Sequence, residues 1–164
     1  MKQLLVMRHA KSSWKDETLA DHDRPLNPRG QDNAPRMGQF VAENKCLPDL
    51  ILSSTAARAL QTARLFVEGC GCDIEILTFK RLYHAGPEDY REAVAVSGDP
   101  HARIMVVSHN PGSEVWTWQL CGQHETLPTA AIAMLEFDEG FQWSKIRDDS
   151  SANLLDVWRP KEVL

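Results

Sequence analysis

Nothing in this sequence offers a redox or metal framework. The four cysteines, Cys46, Cys70, Cys72 and Cys121, include no Cys-x-x-Cys pair, and Cys70-Gly71-Cys72 has no second pair with which to enclose zinc. They read as reduced thiols packed like small buried hydrophobes. No apolar stretch approaches the ~18 residues of a membrane span, and the four apolar residues between Gln3 and Arg8 are too few for a signal-peptide core. The expectation is a cytoplasmic protein without membrane contact. Positive charge is not in excess: 18 Lys and Arg stand against 23 Asp and Glu, a net charge of −5. That balance argues against a nucleic-acid partner and leaves a basic or neutral protein partner open. Internal repeats, low-complexity tracts and linkers are also missing, so residues 1–164 are expected to form one domain, long enough to bury roughly 68–70% of its extended surface.

Several phosphate chemistries are missing too. There is no Gly-x-x-x-x-Gly-Lys-Ser/Thr loop, no Cys followed six residues later by Arg, and no His-Glu-x-x-His pair. Asp21 and Asp23 lack the downstream Thr of an aspartyl phosphatase. Histidine chemistry is what remains.

What is present starts at Leu4-Leu5-Val6-Met7, an unbroken apolar run too short for a typical helix, which stops at Arg8-His9-Ala10-Lys11-Ser12-Ser13-Trp14. It reads as a buried parallel strand carrying polar groups to its carboxyl end, where open α/β sheets bind ligands. An Arg beside a His, followed by hydroxyls and a Lys, suits a dianionic phosphate, and the His can serve as nucleophile or proton carrier. Ser12 and Lys15 are further candidate ligands. Residues 15–28 are polar and broken by prolines, a surface loop near the site. In it Arg24 is either a phosphate ligand or the ion-pair partner of Asp21 or Asp23.

Helical spacing of Met37, Phe40 and Val41 predicts a helix from about Gly30 to Asn44, with Pro35 in its first turn or kinking it. Leu50-Ile51-Leu52 is a second strand, and Ser53-Ser54-Thr55 supplies caps for a helix whose first turn holds Arg58. A cation there is poorly placed for the helix dipole but strengthens an anion site at the free N–H groups. Residues 74–77 make a third strand and Pro87 to Val96 a helix. Ile104-Met105-Val106-Val107 makes a fourth strand, ending at Ser108-His109-Asn110-Pro111. With Asn110 as cap and Pro111 at the first helical position, His109 repeats the placement of His9. Beyond it, Val115 to Leu120 should be helical with its tryptophans in the core. Residues 131–137, 141–146 and 154–158 should give two or three closing strands, with Trp143 and Trp158 covering the sheet. His22, His101 and His124 read as surface residues. The whole alternation predicts a three-layer α/β/α fold on a mostly parallel sheet with helices on both faces.

The string from Arg8 to Lys15 resembles the Arg-His-Gly signature of the histidine phosphatase (phosphoglycerate-mutase-like) superfamily, with Ser12 and Trp14 in register. Ala10 replaces the usual Gly, and Lys15 stands where the mutases have Asn; both departures point to the small SixA-type phosphohistidine phosphatases. Leu26-Asn27-Pro28-Arg29-Gly30, the stretch from Ser53-Ser54 through Arg58-Ala59 to Gln61-Thr62-Ala63, and Ser108-His109-Asn110 are similar to the later motifs of that superfamily. The resemblance covers residues 4–112.

It implies a metal-independent, cofactor-free phosphatase in which His9 is the nucleophile, passing through phosphohistidine. Arg8, Arg58 and an imidazolium at His109 would gather the phosphate oxygens. Many phosphomonoesterases of the superfamily carry an acidic proton donor near residues 81–85. Here Arg81-Leu82-Tyr83-His84-Ala85 offers no carboxylate before Glu88, so His84 and Glu88 are the only donor candidates. The implied substrate is therefore a phosphohistidine protein, such as a phosphotransfer domain or phosphocarrier, and a monomeric enzyme is preferred. The alternatives are a small-molecule phosphomonoesterase or mutase and a non-catalytic phosphohistidine-binding module.

Overall fold

A computed structural model describes residues 1–164. The short apolar runs become β1 (Gln3–Arg8), β2 (Leu50–Ser54), β3 (Glu75–Phe79), β4 (Arg103–Ser108), β5 (Ile132–Glu136) and β6 (Asn153–Trp158). They lie side by side in one sheet in the order β3-β2-β4-β1-β5-β6. The four strands from β3 to β1 are parallel, while β5 and β6 run antiparallel to their neighbours. The helices are α1 (Pro28–Glu43), α2 (Ala57–Cys70), α3 (Pro87–Ser97), α4 (Gly112–Cys121) and a short α5 (Pro160–Val163).

Alternate side chains of each strand serve opposite layers. Leu4, Val6, Ile104 and Val106 pack with Tyr90 and Val94 of α3, Trp116 of α4 and Trp143. Leu5, Met7, Met105 and Val107 pack with Met37 and Val41 of α1, Phe66 of α2 and Trp158. The result is the three-layer α/β/α arrangement, with Trp116 and Trp143 in the core of one face and Trp158 in that of the other. Right-handed crossovers explain the layering: β1-α1-β2 and β2-α2-β3 step one way along the sheet, and β3-α3-β4 steps back, so α3 must cover the other face. The chain therefore leaves β1 and β2 toward one face and the intervening β4 toward the other. That reversal opens a crevice at the carboxyl ends of β1, β2 and β4.

Some boundaries differ from expectation, each for a local reason. Helix α1 starts two residues early, because the Asn27 side chain accepts the Gly30 N–H at 2.9 Å and Pro28 occupies the first turn. Pro35 is accordingly in the helix interior. Helix α2 has no side-chain cap: Ser53 and Ser54 finish β2, and Ala56 is the capping residue. Asn110 does not cap α4, which begins at Gly112 after Pro111; its amide is spent on Glu114 and on the Leu127 carbonyl. Residues 141–146 are not a strand but frame a 3-10 turn at Trp143–Lys145, held where Asp99 accepts the Trp143 N–H at 3.0 Å. Trp118 is exposed and stacked on His124, so only Trp116 of that helix is core. The four cysteines are free, but none is fully buried and Cys72 is exposed.

Candidate active site

The register of β1 against β4 sets the two motif histidines side by side. Arg8 pairs with Ser108, and the His9 N–H donates to the Ser108 carbonyl at 2.9 Å. The His9 and His109 rings are consequently 5.1 Å apart between centroids, both buried in the crevice. His9 Nδ1 lies 2.7 Å from the Ala10 carbonyl oxygen. A carbonyl can only accept, so Nδ1 carries the proton and Nε2 keeps a lone pair. Burial chiefly, reinforced by the guanidiniums of Arg58, Arg8 and Arg24, pulls the pKa of His9 down to about 4. The ring is therefore neutral at neutral pH. The turn that holds it is fixed from α2, since the Thr62 hydroxyl accepts the Ala10 N–H at 2.9 Å while donating to the Arg58 carbonyl at 2.6 Å. Ala10 packs without exposure in the core, so a methyl group fits where the superfamily signature has Gly.

His109 is oriented differently. Its Nε2 lies 2.8 Å from the Ser54 hydroxyl, which also accepts the Ala56 N–H. The hydroxyl keeps its hydrogen and a second lone pair, so it can donate to Nε2 or accept from it; donation places the ring proton on Nδ1. His109 Nδ1 is buried with no protein partner, as is Arg8 Nε. Burial, then the charges of His9 and Arg58, pulls the His109 pKa down to about 3. At neutral pH, with no phosphate beside it, the ring is therefore a neutral imidazole. Its backbone is braced by a buried hydroxyl set in which Tyr90 contacts Ser108 Oγ at 3.0 Å and Ser113 Oγ at 3.2 Å. Gly112 permits this closeness, because a Cβ there would stand 2.3 Å from the Ala85 carbonyl and 2.9 Å from the Tyr90 hydroxyl.

Around the histidines is a ring of cations organised by one carboxylate. Arg58 is buried and donates to the Asp21 carbonyl at 2.6 Å and to Asp21 Oδ2 at 2.9 Å. Arg24, also buried, donates to Asp21 Oδ1 at 2.8 Å, to the Ser13 carbonyl and to the Ser12 hydroxyl, and its guanidinium lies over the Trp14 ring. Tyr83 donates its hydroxyl to Asp21 Oδ2 at 2.6 Å. That bond, with Arg24 and Arg58, holds the Asp21 carboxyl well below the usual carboxylate range. Burial and the same carboxylate raise the Tyr83 phenol. Arg8 donates to the Leu127 carbonyl at 3.2 Å, and burial lowers its pKa against the pull of Glu114.

His9, His109, Arg8, Arg58 and Arg24 are thus brought together, and Ser12 joins them through Arg24. Lys15 is exposed and bonds within its own turn. Glu88 sits in the first turn of α3 without a bond to the cluster. His84 meets the Tyr83 ring at 3.9 Å, tilted by 38°, and lies close enough to His109 to act on it electrostatically. Two residues escaped the sequence reading. Asp21 was visible as a neighbour of Arg24, but its reach to Arg58 and Tyr83 needs the fold. His22 is no plain surface residue: Nε2 lies 2.9 Å from the Thr55 hydroxyl and its ring meets the Tyr83 ring edge-on. No group of three or more His, Cys, Asp or Glu side chains converges to hold a metal ion.

A family model described as histidine phosphatase superfamily (branch 1) matches residues 4–84. An uncharacterized protein of Mycobacterium tuberculosis (strain CDC 1551 / Oshkosh) is 41% identical over 140 residues, covering 79% of this chain and 85% of its own. The crystal structure from Agrobacterium tumefaciens that carries the provisional name phosphohistidine phosphatase SixA has a TM-score of 0.81 at 28% identity, covering 97% of this chain and 98% of its own. The fold is shared with the protein histidine phosphatase SixA complexed with tungstate, at TM-score 0.83 and 20% identity over 99% of each chain.

Proposed function

The chain belongs to the histidine phosphatase superfamily, and we propose that within it this protein is a phosphohistidine phosphatase of SixA type, working through phospho-His9 without a metal ion. In the first step the His9 Nε2 lone pair attacks phosphorus in line, the P–N bond of the substrate breaks, and its imidazole leaves, taking a proton from water. Arg8, Arg58 and the His109 ring receive the three equatorial oxygens, and the approaching phosphate charge favours a proton on His109. Water then attacks phospho-His9, releasing orthophosphate and the free imidazole.

The observation that carries the P–N preference is the state of the carboxylate in the cation ring. An alkoxide leaving group profits from a placed general acid, worth roughly 10²–10⁴-fold. Asp21 has three donors and is held ionised, so it has no proton to give. Tyr83 donates to Asp21 and keeps its proton tightly. Imidazole, with a conjugate-acid pKa around 6.5, needs no such help. The rival reading, a phosphomonoesterase or mutase, requires an acid that this ring does not supply.

The test is a substrate panel in the presence of EDTA. A phosphohistidine protein and phosphoramidate should exceed 3-phosphoglycerate and sugar phosphates by about 10² or more in kcat/KM. A preference for the aliphatic esters would overturn the P–N reading, and loss of activity in EDTA would overturn the metal-free mechanism.

A further inference from the structure

Outside the catalytic crevice, the structure has a cavity of about 430 Å³ where the first turns of α1 meet the β6–α5 corner and the segment before β5. Its charged lining is one-sided: Arg29, Arg36, Arg159 and Lys161 against Glu162. On a chain of net charge −5, a hollow with four cationic side chains against one acidic side chain, with Leu164 also on its wall, is a local inversion. The sequence builds it deliberately in two places, since Arg29, Asn33 and Arg36 are spaced i, i+4, i+7 along one face of α1. Arg159 and Lys161 flank Pro160 at the start of α5.

The cations are not equally spent. Arg159 is tied to Glu125 at 2.8 Å and reaches Glu162 at 3.6 Å. Arg36 faces Asp32 at 3.2 Å in an exposed pair of small worth. Arg29 and Lys161 have no acidic partner within salt-bridge distance. A cavity rimmed by unmatched cations is suited to carboxylates supplied by another chain.

Two chain segments connect this hollow to the catalytic turn. Gly30, beside Arg29, packs so closely on that turn that a Cβ would stand 2.2 Å from the Lys11 carbonyl oxygen. On the other side, Pro128 and Thr129 line the cavity, the adjacent Leu127 carbonyl accepts from Arg8, and the Ala130 N–H bonds the Arg8 and His9 carbonyls at 3.1 Å. The hollow and the catalytic crevice therefore lie at the same end of the sheet, at the carboxyl ends of β1 and β6 and the start of β5.

We propose that this groove is a docking site for an acidic, Asp/Glu-rich segment of the phosphohistidine protein, engaged by Arg29, Lys161 and Arg36 while the phosphoryl group sits over His9. The inference rests on the phosphohistidine reading above and extends it to how the protein part of the substrate is chosen.

The test uses the whole protein with two synthetic peptides, each bearing one phosphohistidine, one with Glu-rich and one with Gln-rich flanks, and phosphoramidate as the flankless substrate. At low ionic strength the wild type should favour the Glu-rich peptide by about tenfold in kcat/KM, through KM, and lose that preference as salt shortens the screening length to about 8 Å. The double charge reversal R29E/K161E should abolish the preference and leave phosphoramidate turnover unchanged. No preference in the wild type, or a preference that survives the reversal, would overturn the proposal. Fluorescence anisotropy with the unphosphorylated Glu-rich peptide is read in parallel. If neither phosphopeptide nor phosphoramidate is hydrolysed, the phosphohistidine reading falls, while salt-sensitive binding lost in R29E/K161E still supports an acidic docking site. Absence of that binding removes the site as well.

Discussion

The carboxyl ends of β1 and β4 present a histidine each, in register and within one crevice, yet the two are held in opposite ways. His9 is bonded through Nδ1 to the backbone of the next residue, a contact that cannot change without moving β1, and its Nε2 is left open. His109 is bonded through Nε2 to a side-chain hydroxyl on a different strand, and its Nδ1 is buried without a partner. A backbone acceptor fixes one tautomer; a hydroxyl can donate or accept. The first arrangement suits a group that must always present the same lone pair. The second suits a group whose protonation changes when phosphate arrives.

Breaking the fixed side of this comparison should have the largest effect. His9→Ala should lower turnover on the order of 10³-fold or more and abolish acid-labile phosphoryl label on the protein, as rapid-quench labelling would show. Equal labelling of this variant would remove His9 from the mechanism. Next comes the cation that both rings face. Arg58→Ala should cost roughly 10²–10³ in rate while circular dichroism shows an intact fold, because Asp21 keeps Arg24 and Tyr83 as partners. A variant with unchanged turnover would contradict the role of Arg58 as an oxyanion ligand.

Acid titration sharpens the comparison through stability. Both histidines have folded pKa values lowered, to about 4 and about 3, against about 6.5 in an unfolded chain. Above pH 6.5 neither state binds these protons. As pH falls below 6.5 the unfolded chain takes them up and the folded chain does not, so stability declines by up to ~1.4 kcal/mol per pH unit per histidine until the folded rings titrate. For His9 this amounts to about 3 kcal/mol by pH 4. Urea titrations from pH 7 to 4 should show this decline, and His9→Asn should reduce it to the share of His109; an equal slope in the variant would contradict the assignment. The smallest effect should come from the adjustable side. Ser54→Ala removes the hydroxyl bonded to His109 and, with it, the acceptor of the Ala56 N–H; loss of the bond to His109, net about 0.5–1.5 kcal/mol, should slow turnover about 3- to 10-fold while phospho-His9 still forms. A Ser54→Ala variant that forms no phosphoenzyme would show that the hydroxyl does more than orient His109.

Arg8, His9, Arg58 and His109 were legible in the sequence because each lies within a residue or two of an apolar run's end or in the first turn of a helix, where chain direction alone decides placement. Asp21 was not. It lies in a proline-broken loop without periodicity, and its partners Arg58 and Tyr83 are 37 and 62 residues away. The expected caps failed for a related reason. Ser54 and Asn110 are good cap residues by type, but each had a competing long-range bond, to His109 and to the Leu127 carbonyl, that no local propensity could reveal. The third closing strand failed because Trp143 is buried by packing on Phe137 and Phe141, and an aromatic in a 3-10 turn reads from sequence like one in a strand.

The position of β1 has a consequence for the order in which the protein can be made. The strand that leads into His9 precedes both of its partners in the chain and sits between β4 and β5, pairing Gln3 with Arg103 on one side and with Glu136 on the other. Neither partner exists until most of the chain has been extruded, and long loops must close before either ladder gains a bond, which slows folding. The opening segment, four consecutive apolar residues, must therefore wait unpaired during translation. Helices α1 and α2 and the β2–β3 pair can form earlier from near neighbours, but the paired histidines cannot. Catalytic competence is a late event in the life of the chain, and a truncated or stalled product ending before β4 would hold Arg8, His9 and Arg58 with no strand to bring them to their work.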